Sequence, residues 1–192
     1  MTREEVRTRI AEIGIIPAVR LYSESEALFA AEAVCGSGMV SDVETARLCL
    51  DAGAGFLTTP GLDLEIADFA LKRDVAVLPG ALTPSEVMAA WKAGADFVKV
   101  FPCAQVGGPD YIRALKAPFP QIPLIASGGV DQKNAADYIL AGAAALGIGQ
   151  HLIHQNAIKR RQREWIHELA RRYTNMANEA RSRQTARSGL SR

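Results

Sequence analysis

Lys99 lies in the run Phe97-Val98-Lys99-Val100-Phe101-Pro102, a lone amine in a segment that otherwise reads as a buried strand. Alternate strand residues face opposite sides, so Phe97, Lys99 and Phe101 share one face and Val98 and Val100 take the other. Water-poor surroundings disfavour the ammonium form, lower a lysine's pKa and leave free amine to attack a carbonyl carbon. That is Schiff-base chemistry. The competing reading is a lysine whose stem packs inside while its head reaches solvent or a carboxylate, and the hexapeptide alone leaves both open.

The other residues with chemical potential stand where apolar runs end. They are Arg20, Thr58-Thr59-Pro60, Pro79-Gly80, Thr83-Pro84-Ser85, Phe101-Pro102-Cys103, Ser127-Gly128-Gly129 and Gly147-Ile148-Gly149. Paired glycines expose backbone N–H groups, and anions bind where such groups gather, so a phosphate or carboxylate pocket fits this end of the molecule. Plain turns use the same glycines. Arg20 is suited to clamp a carboxylate or to stand as a rim cation. His151 and His154 lie three apart without a third ligand and read as surface residues, so no metal is expected. Cys35, Cys49 and Cys103 show no metal-ligand spacing, and an odd number argues against a disulfide framework.

The elements that position these residues alternate. A first amphipathic helix is capped by Thr2, carries Val6, Ile10 and Ile13 on one stripe, and stops at Gly14. Strands are then predicted over 15–20, 56–59, 75–80, 97–102, 123–127 and 144–147, with helices over 24–35, 42–52, 63–72, 84–93, 108–116 and 132–141. Such alternation means βαβ units and a parallel sheet. Three helices share one ending, Asp51-Ala52-Gly53-Ala54, Lys92-Ala93-Gly94-Ala95 and Leu140-Ala141-Gly142-Ala143, which reads as a repeated helix-to-strand connection. Repeated units with strands apolar on both faces, and no glycine-rich dinucleotide fingerprint, favour a closed (β/α) barrel. In a barrel the C-terminal strand ends carry function, and those ends hold the residues named above.

With 192 residues, 48% hydrophobic and 22% charged, the chain can bury a core of normal size as one domain. We expect a barrel over residues 1–155, a C-terminal helix over 156–180 packed on it, and a basic, disordered tail over 181–192. Residues 157–192 carry ten of the 22 Lys and Arg but only three of the 21 Asp and Glu. Trp165, Leu169, Tyr173 and Met176 make a helical stripe there, so this basic stretch reads as a solvated helix and not as a nucleic-acid surface. A charged N-terminal helix and the lack of a long apolar run predict a cytoplasmic protein without a membrane partner.

The motifs carry a resemblance. Ile15-Ile16-Pro17-Ala18-Val19-Arg20, Pro79-Gly80-Ala81-Leu82-Thr83-Pro84-Ser85-Glu86, Lys99-Val100-Phe101-Pro102, Gly107-Gly108, Ala117-Pro118-Phe119-Pro120 and Ser127-Gly128-Gly129-Val130 stand in order over about residues 10 to 155. Together they resemble the 2-keto-3-deoxy-6-phosphogluconate (KDPG) / 4-hydroxy-2-oxoglutarate aldolase family. The resemblance implies a class I aldolase on a (β/α)8 barrel, usually a homotrimer, with no cofactor and no metal. Lys99 would form the Schiff base with a 2-keto acid, and carbon–carbon cleavage would leave a pyruvate enamine and an aldehyde. Arg20, Thr83, Pro102, Gly107, Gly108, Ser127, Gly128, Gly129 and Gly149 would contact the substrate, a small 2-keto acid or phosphorylated sugar acid. Ser127 stands where many members have Thr. Gly147-Ile148-Gly149-Gln150-His151 replaces a Gly-Gly-Ser-Trp-like stretch.

The pattern breaks after the first strand. The family carries a proton-shuttling glutamate on its second strand, and general acid–base help of that kind is worth about 10² to 10⁴ in rate. Here helix 24–35 leads through Gly36-Ser37-Gly38-Met39-Val40 straight into Ser41-Asp42-Val43-Glu44-Thr45, which resembles the start of the family's third helix. Roughly thirty residues, covering strand two, helix two and most of strand three, are missing relative to the family pattern. Either 36–40 is the remnant of the third strand or it is the approach to the second; both lose the glutamate. Glu24, Glu26, Glu32, Glu44, Glu65 and Glu86 fall on predicted helices, and Asp96 stands at the wrong end of its strand. The natural protein has a segment absent from this chain, or the gene has a true deletion, or a partner chain completes the sheet. The alternative to an active aldolase is a catalytically impaired barrel that binds a phosphorylated sugar acid or serves as an interaction subunit; a barrel lyase or isomerase with another substrate is a third.

Overall fold

In the computed structural model, which describes residues 1–18 and 40–189, Thr2 opens the first helix, α1 (Arg3–Ile13), through a reciprocal cap. Its hydroxyl accepts the Glu5 N–H while the Glu5 carboxylate accepts the Thr2 N–H. Strand β1 (Ile15–Pro17) follows at once. The expected helix over 24–35 and Arg20 lie outside the described residues. The chain then runs α2 (Val43–Asp51), β2 (Phe56–Thr58), α3 (Leu64–Leu71), β3 (Ala76–Leu78), β4 (Gly80–Ala81) and α4 (Pro84–Lys92). Strand β5 (Val98–Val100), a 3₁₀ turn at Ala104–Val106, α5 (Pro109–Lys116), β6 (Leu124–Ser127), α6 (Ala135–Leu140) and β7 (Ala145–Ile148) come next. Two helices close the chain, α7 (Gln155–Lys159) and α8 (Arg163–Gly189). Gly53, Gly94 and Gly142, the shared ending noted in the sequence, all adopt left-handed backbone with φ of 91°, 93° and 105°.

Among the described residues every ladder is parallel. One sheet runs β1-β7-β6-β5-β4 and the other β2-β3. The two sheets are continuous through the chain, because β3 and β4 are halves of one strand either side of Pro79. The Pro79 carbonyl accepts the Lys99 N–H at 2.9 Å and the Val77 carbonyl accepts the Asp96 N–H at 3.0 Å. The result is the curved parallel array of an α/β barrel, reading β2, β3/β4, β5, β6, β7, β1. Among the described residues no ladder joins β1 to β2. Val40 donates its N–H to the Thr58 carbonyl at 2.9 Å. That bond sets Val40 beside β2, while residues 36–39 of the expected remnant lie outside the described residues.

Strand alternation sorts the side chains into two populations. Ile16, Phe56, Ala76, Leu78, Phe97, Ile125 and Ala145 point inward and form one buried cluster, which Val6 and Ile10 of α1 join. Val98, Val100, Leu124, Ala126, Leu146 and Ile148 point outward and pack with residues of α4, α5, α6 and α8. The C-terminal helix departs from expectation at both ends. Its buried stripe is Ile166, Leu169, Tyr173, Ala177 and Ala180, whereas Trp165 is 47% exposed; the apolar seam starts one residue later than the aromatic pattern suggests. The helix also continues past 180, through the stretch expected to be a disordered tail. Ala180 is buried, and the Arg181 guanidinium donates to the Ala144 carbonyl at 2.7 Å and the Glu12 carbonyl at 3.0 Å. Those bonds anchor a turn whose composition alone predicts fraying.

Candidate active site

Inward-facing residues at the C-terminal ends of the strands enclose a cavity of about 410 Å³, a volume suited to a small organic ligand. Its wall is Ile16, Thr58, Leu78, Lys99, Ile125, Ser127 and Gly147, closed at the rim by the loops after β5, β6 and β7. Strand β5 aims Lys99 inward with Phe97 and Phe101, as the alternation of the hexapeptide requires. Lys99 is only 7% exposed. Burial lowers its pKa to about 8, because desolvation disfavours the ammonium ion and no carboxylate among the described residues offsets it. Its Nζ stands 5.5 Å from the centre of the Phe101 ring, close enough for the ring face to favour whatever fraction is charged. Of the two sequence readings, the structure has the inward amine, with no carboxylate partner among the described residues.

Small residues give the amine its room. At Gly147 a Cβ would stand 2.6 Å from Ser127 Oγ, so a side chain there would displace the hydroxyl that lines the cavity. The Ser127 and Gly128 carbonyls accept the Cys103 and Ala104 N–H groups at 2.8 and 3.0 Å, zipping the β5 and β6 loops together. Gly129, at φ +81°, faces Ala104 so closely that an added Cβ would lie 2.3 Å from the alanine Cβ. Side chains are excluded here twice, by backbone conformation and by contact. Cys103, beside this junction, is no rival nucleophile: it is buried, and burial pushes its thiol up to about 11.

The expected site residues separate into groups. Lys99, Ser127, Gly128, Gly129 and Gly149 meet on the one cavity. Thr83 does not join them. It caps α4, accepting the Glu86 N–H at 3.3 Å while its own N–H and hydroxyl donate to the Glu86 carboxylate at 2.7 and 2.9 Å. Those donors, with the Leu82 N–H, hold the Glu86 carboxyl below its ordinary range and commit it to the cap. Gly107 and Gly108 turn the chain into α5, and Pro102 stands behind Gly128; none of the three lines the cavity. Arg20 lies outside the described residues. The sequence reading missed Gln105 and Gln155, amides on the cavity rim, since no local pattern marks a glutamine as pocket-facing. Among the described residues lining the cavity there is no Asp or Glu, and no cluster of His, Cys, Asp and Glu suited to a metal occurs among the described residues.

A family model for "KDPG and KHG aldolase" matches residues 10–169. The chain is 41% identical over 104 residues to the 2-dehydro-3-deoxy-phosphogluconate aldolase of Pseudomonas aeruginosa, which is 54% of this chain and 47% of that protein. It is 37% identical over 122 residues to the 2-dehydro-3-deoxy-6-phosphogalactonate aldolase of Escherichia coli, or 63% of this chain and 59% of the relative. The aligned stretch thus spans about half the length of these curated relatives. Among solved structures it resembles a KDPG aldolase from Legionella pneumophila with pyruvate captured as a covalent carbinolamine intermediate. There the TM-score is 0.69 at 25% identity, covering 86% of this chain and 84% of the other. The KDPG aldolase of Zymomonas mobilis shares the fold with a TM-score of 0.75 at 20% identity, over 91% and 97% of the two chains.

Proposed function

The chain belongs to the KDPG and KHG aldolase family, and from that premise we propose that it is a class I aldolase whose Lys99 forms a Schiff base with a 2-keto acid. The proposed reaction is cleavage of KDPG, or of a related 4-hydroxy-2-oxo acid, to pyruvate and an aldehyde. The supporting observation is Lys99 itself: a buried amine with its pKa lowered to about 8, facing a cavity of about 410 Å³. At neutral pH a useful fraction is unprotonated and able to attack the C2 carbonyl. The iminium that follows draws in the C3–C4 bonding pair, so cleavage leaves an enamine and no free carbanion. Ser127 and the backbone of Gly128, Gly129 and Gly149 are the groups we assign to the rest of the substrate, supported by their place around the same cavity.

Incubation with pyruvate and borohydride tests the reading. The expected result is one reduced pyruvyl adduct, mapped by peptide mass to Lys99; no adduct, or an adduct elsewhere, overturns it. A second reading, a barrel that binds a phosphorylated sugar acid without turning it over, is favoured by one observation: no carboxylate lines the cavity among the described residues. Release of pyruvate from KDPG at catalytic rates excludes that second reading. We infer a homo-oligomeric, cytoplasmic protein from the family premise, with sedimentation of the purified chain as the check on its assembly. No helix among the described residues is long and apolar enough to cross a membrane.

A further inference from the structure

The proposed aldol chemistry needs a group that takes and returns protons, and the cavity wall narrows where that group can be. Its described walls come from β1, β2, β3, β5, β6 and β7, the loops after β5, β6 and β7, and α7. Among the described residues the ionisable side chains facing the cavity are two, Lys99 and His151. Lys99 is the nucleophile and cannot also serve as base once it is an iminium. We propose that His151 is the proton-transferring catalytic residue of this cavity; the proposal rests on the Schiff-base reading of Lys99.

Three features single out His151 from the chain's other two histidines. It stands in a turn closed by two hydrogen bonds, from the Leu152 and Ile153 N–H groups to the Gly149 carbonyl, both 2.9 Å. Leu152 and Ile153 are buried, so the turn is pinned while His151 stays at the exposed mouth. His154, by contrast, is committed to a cap: its Nδ1 accepts the Asn156 N–H at 3.2 Å at the start of α7. His167 lies on α8 and does not line the cavity. An imidazole gives and takes protons near neutrality without a carboxylate's help.

The step balances. A substrate bonded through C2 to Lys99 extends toward the mouth. As the C3–C4 pair moves into the iminium, the C4 hydroxyl gives its proton to the His151 ring nitrogen and C4 becomes the aldehyde carbonyl. The imidazolium then returns that proton to C3 of the enamine. Water hydrolyses the resulting iminium, releasing pyruvate and restoring the Lys99 amine.

Exchange of the pyruvate methyl protons with solvent deuterium, followed by NMR, isolates the C3 proton transfer without needing to know the aldehyde. For His151→Gln and His151→Ala we expect undiminished borohydride trapping at Lys99. Exchange and the kcat for cleavage should fall by about a hundredfold or more, with added imidazole restoring exchange in His151→Ala. Exchange within threefold of the parent overturns the proposal, as does a rise in KM with kcat unchanged, which would make His151 an anion contact instead. Loss of trapping in both variants also overturns it in favour of a structural role. If the parent chain traps pyruvate but does not exchange its protons, no group in the cavity moves them and this proposal alone fails. If the parent chain does not trap pyruvate at Lys99, the Schiff-base reading fails first.

Discussion

The two ends of the barrel treat buried charge in opposite ways. At the floor, the Asp96 carboxylate is fully enclosed and fully matched. Arg3 Nε donates to both its oxygens at 2.9 and 3.0 Å, Arg7 Nε approaches within 3.4 Å, and the Val77 N–H donates to Oδ2 at 2.9 Å. Arg181 nearby is likewise occupied by two carbonyls. At the mouth, Lys99 is almost as deeply buried and, among the described residues, meets an aromatic ring in place of an anion. A matched buried charge fastens α1 to the strands; the amine at the mouth, in the reading proposed above, holds reactivity at a cost in stability. Burial alone does not separate structural from chemical groups in this molecule. The partner does.

The largest expected effect breaks the comparison at the mouth. Lys99→Met removes the amine while keeping a side chain of similar length, so the borohydride adduct with pyruvate should disappear entirely. The same variant should be more stable than the parent. The folded-state pKa of about 8 lies below the 10.5 of an unfolded lysine, so the folded chain is penalised for holding the ammonium form at every pH below about 8. That penalty is at most about 3 kcal/mol. It should be relieved in the parent as pH rises from about 8 to 10.5, and urea unfolding of the two proteins across that window should converge. Parallel curves would mean that Lys99 is solvated better than its burial implies.

Breaking the floor should do the reverse. Asp96→Ala leaves the Val77 N–H without its acceptor and two guanidinium groups without their anion, and should cost about 3 kcal/mol. Pyruvate trapping at Lys99, measured at a temperature where the variant stays folded, should be unchanged. A variant equally stable to urea would show that the α1 contact rests on Val6 and Ile10 alone.

Much of this contrast is legible in the sequence, and the remainder is not for identifiable reasons. Lys99 stands out because strand alternation is local: Phe97 and Phe101 fix its direction whatever the rest of the chain does. Ser127, Gly128 and Gly129 stand out because a polar-glycine cluster ends an apolar run. Asp96 is visible only as a residue at the wrong end for catalysis, since its partners Arg3 and Arg7 are about ninety residues away and no local pattern pairs them. His151 reads as a surface residue, because three-residue spacing speaks to metals and says nothing about which turn overhangs a cavity. The helical continuation past 180 hides for a similar reason. Arg181 in a polar tail looks solvated until Gly14 and Ala144 are brought beside it.

The comparison can be sharpened by pH without any substitution. A free amine attacks and an ammonium does not, so the rate of pyruvate adduct formation should follow the unprotonated fraction of Lys99. Well below about 8 it should fall tenfold for each pH unit, which makes about a fiftyfold drop between pH 8 and pH 6. The floor carries no such dependence on the amine. Stopped-time quenching with borohydride across that range gives the profile, and a flat rate below pH 8 would place the controlling step after attack.

The smallest effect separates a helix cap from a substrate contact. The sequence motif Thr83-Pro84-Ser85-Glu86 satisfies both readings, since a hydroxyl at a strand end can face a ligand or an orphan N–H. The structure has Thr83 accepting from Glu86 and Glu86 accepting from Leu82 and Thr83, a reciprocal arrangement that occupies both side chains. Thr83→Ala removes one acceptor for the first turn of α4 and should lower stability by about 1 kcal/mol. The rate and yield of the Lys99 adduct with pyruvate should not move, nor should KM for any 4-hydroxy-2-oxo acid the chain cleaves. A rise in KM with stability intact would put the hydroxyl on the substrate and move the edge of the cavity outward to include α4. The capped geometry argues against that outcome, because a hydroxyl already shared between an amide and a carboxylate has little left to offer a third group.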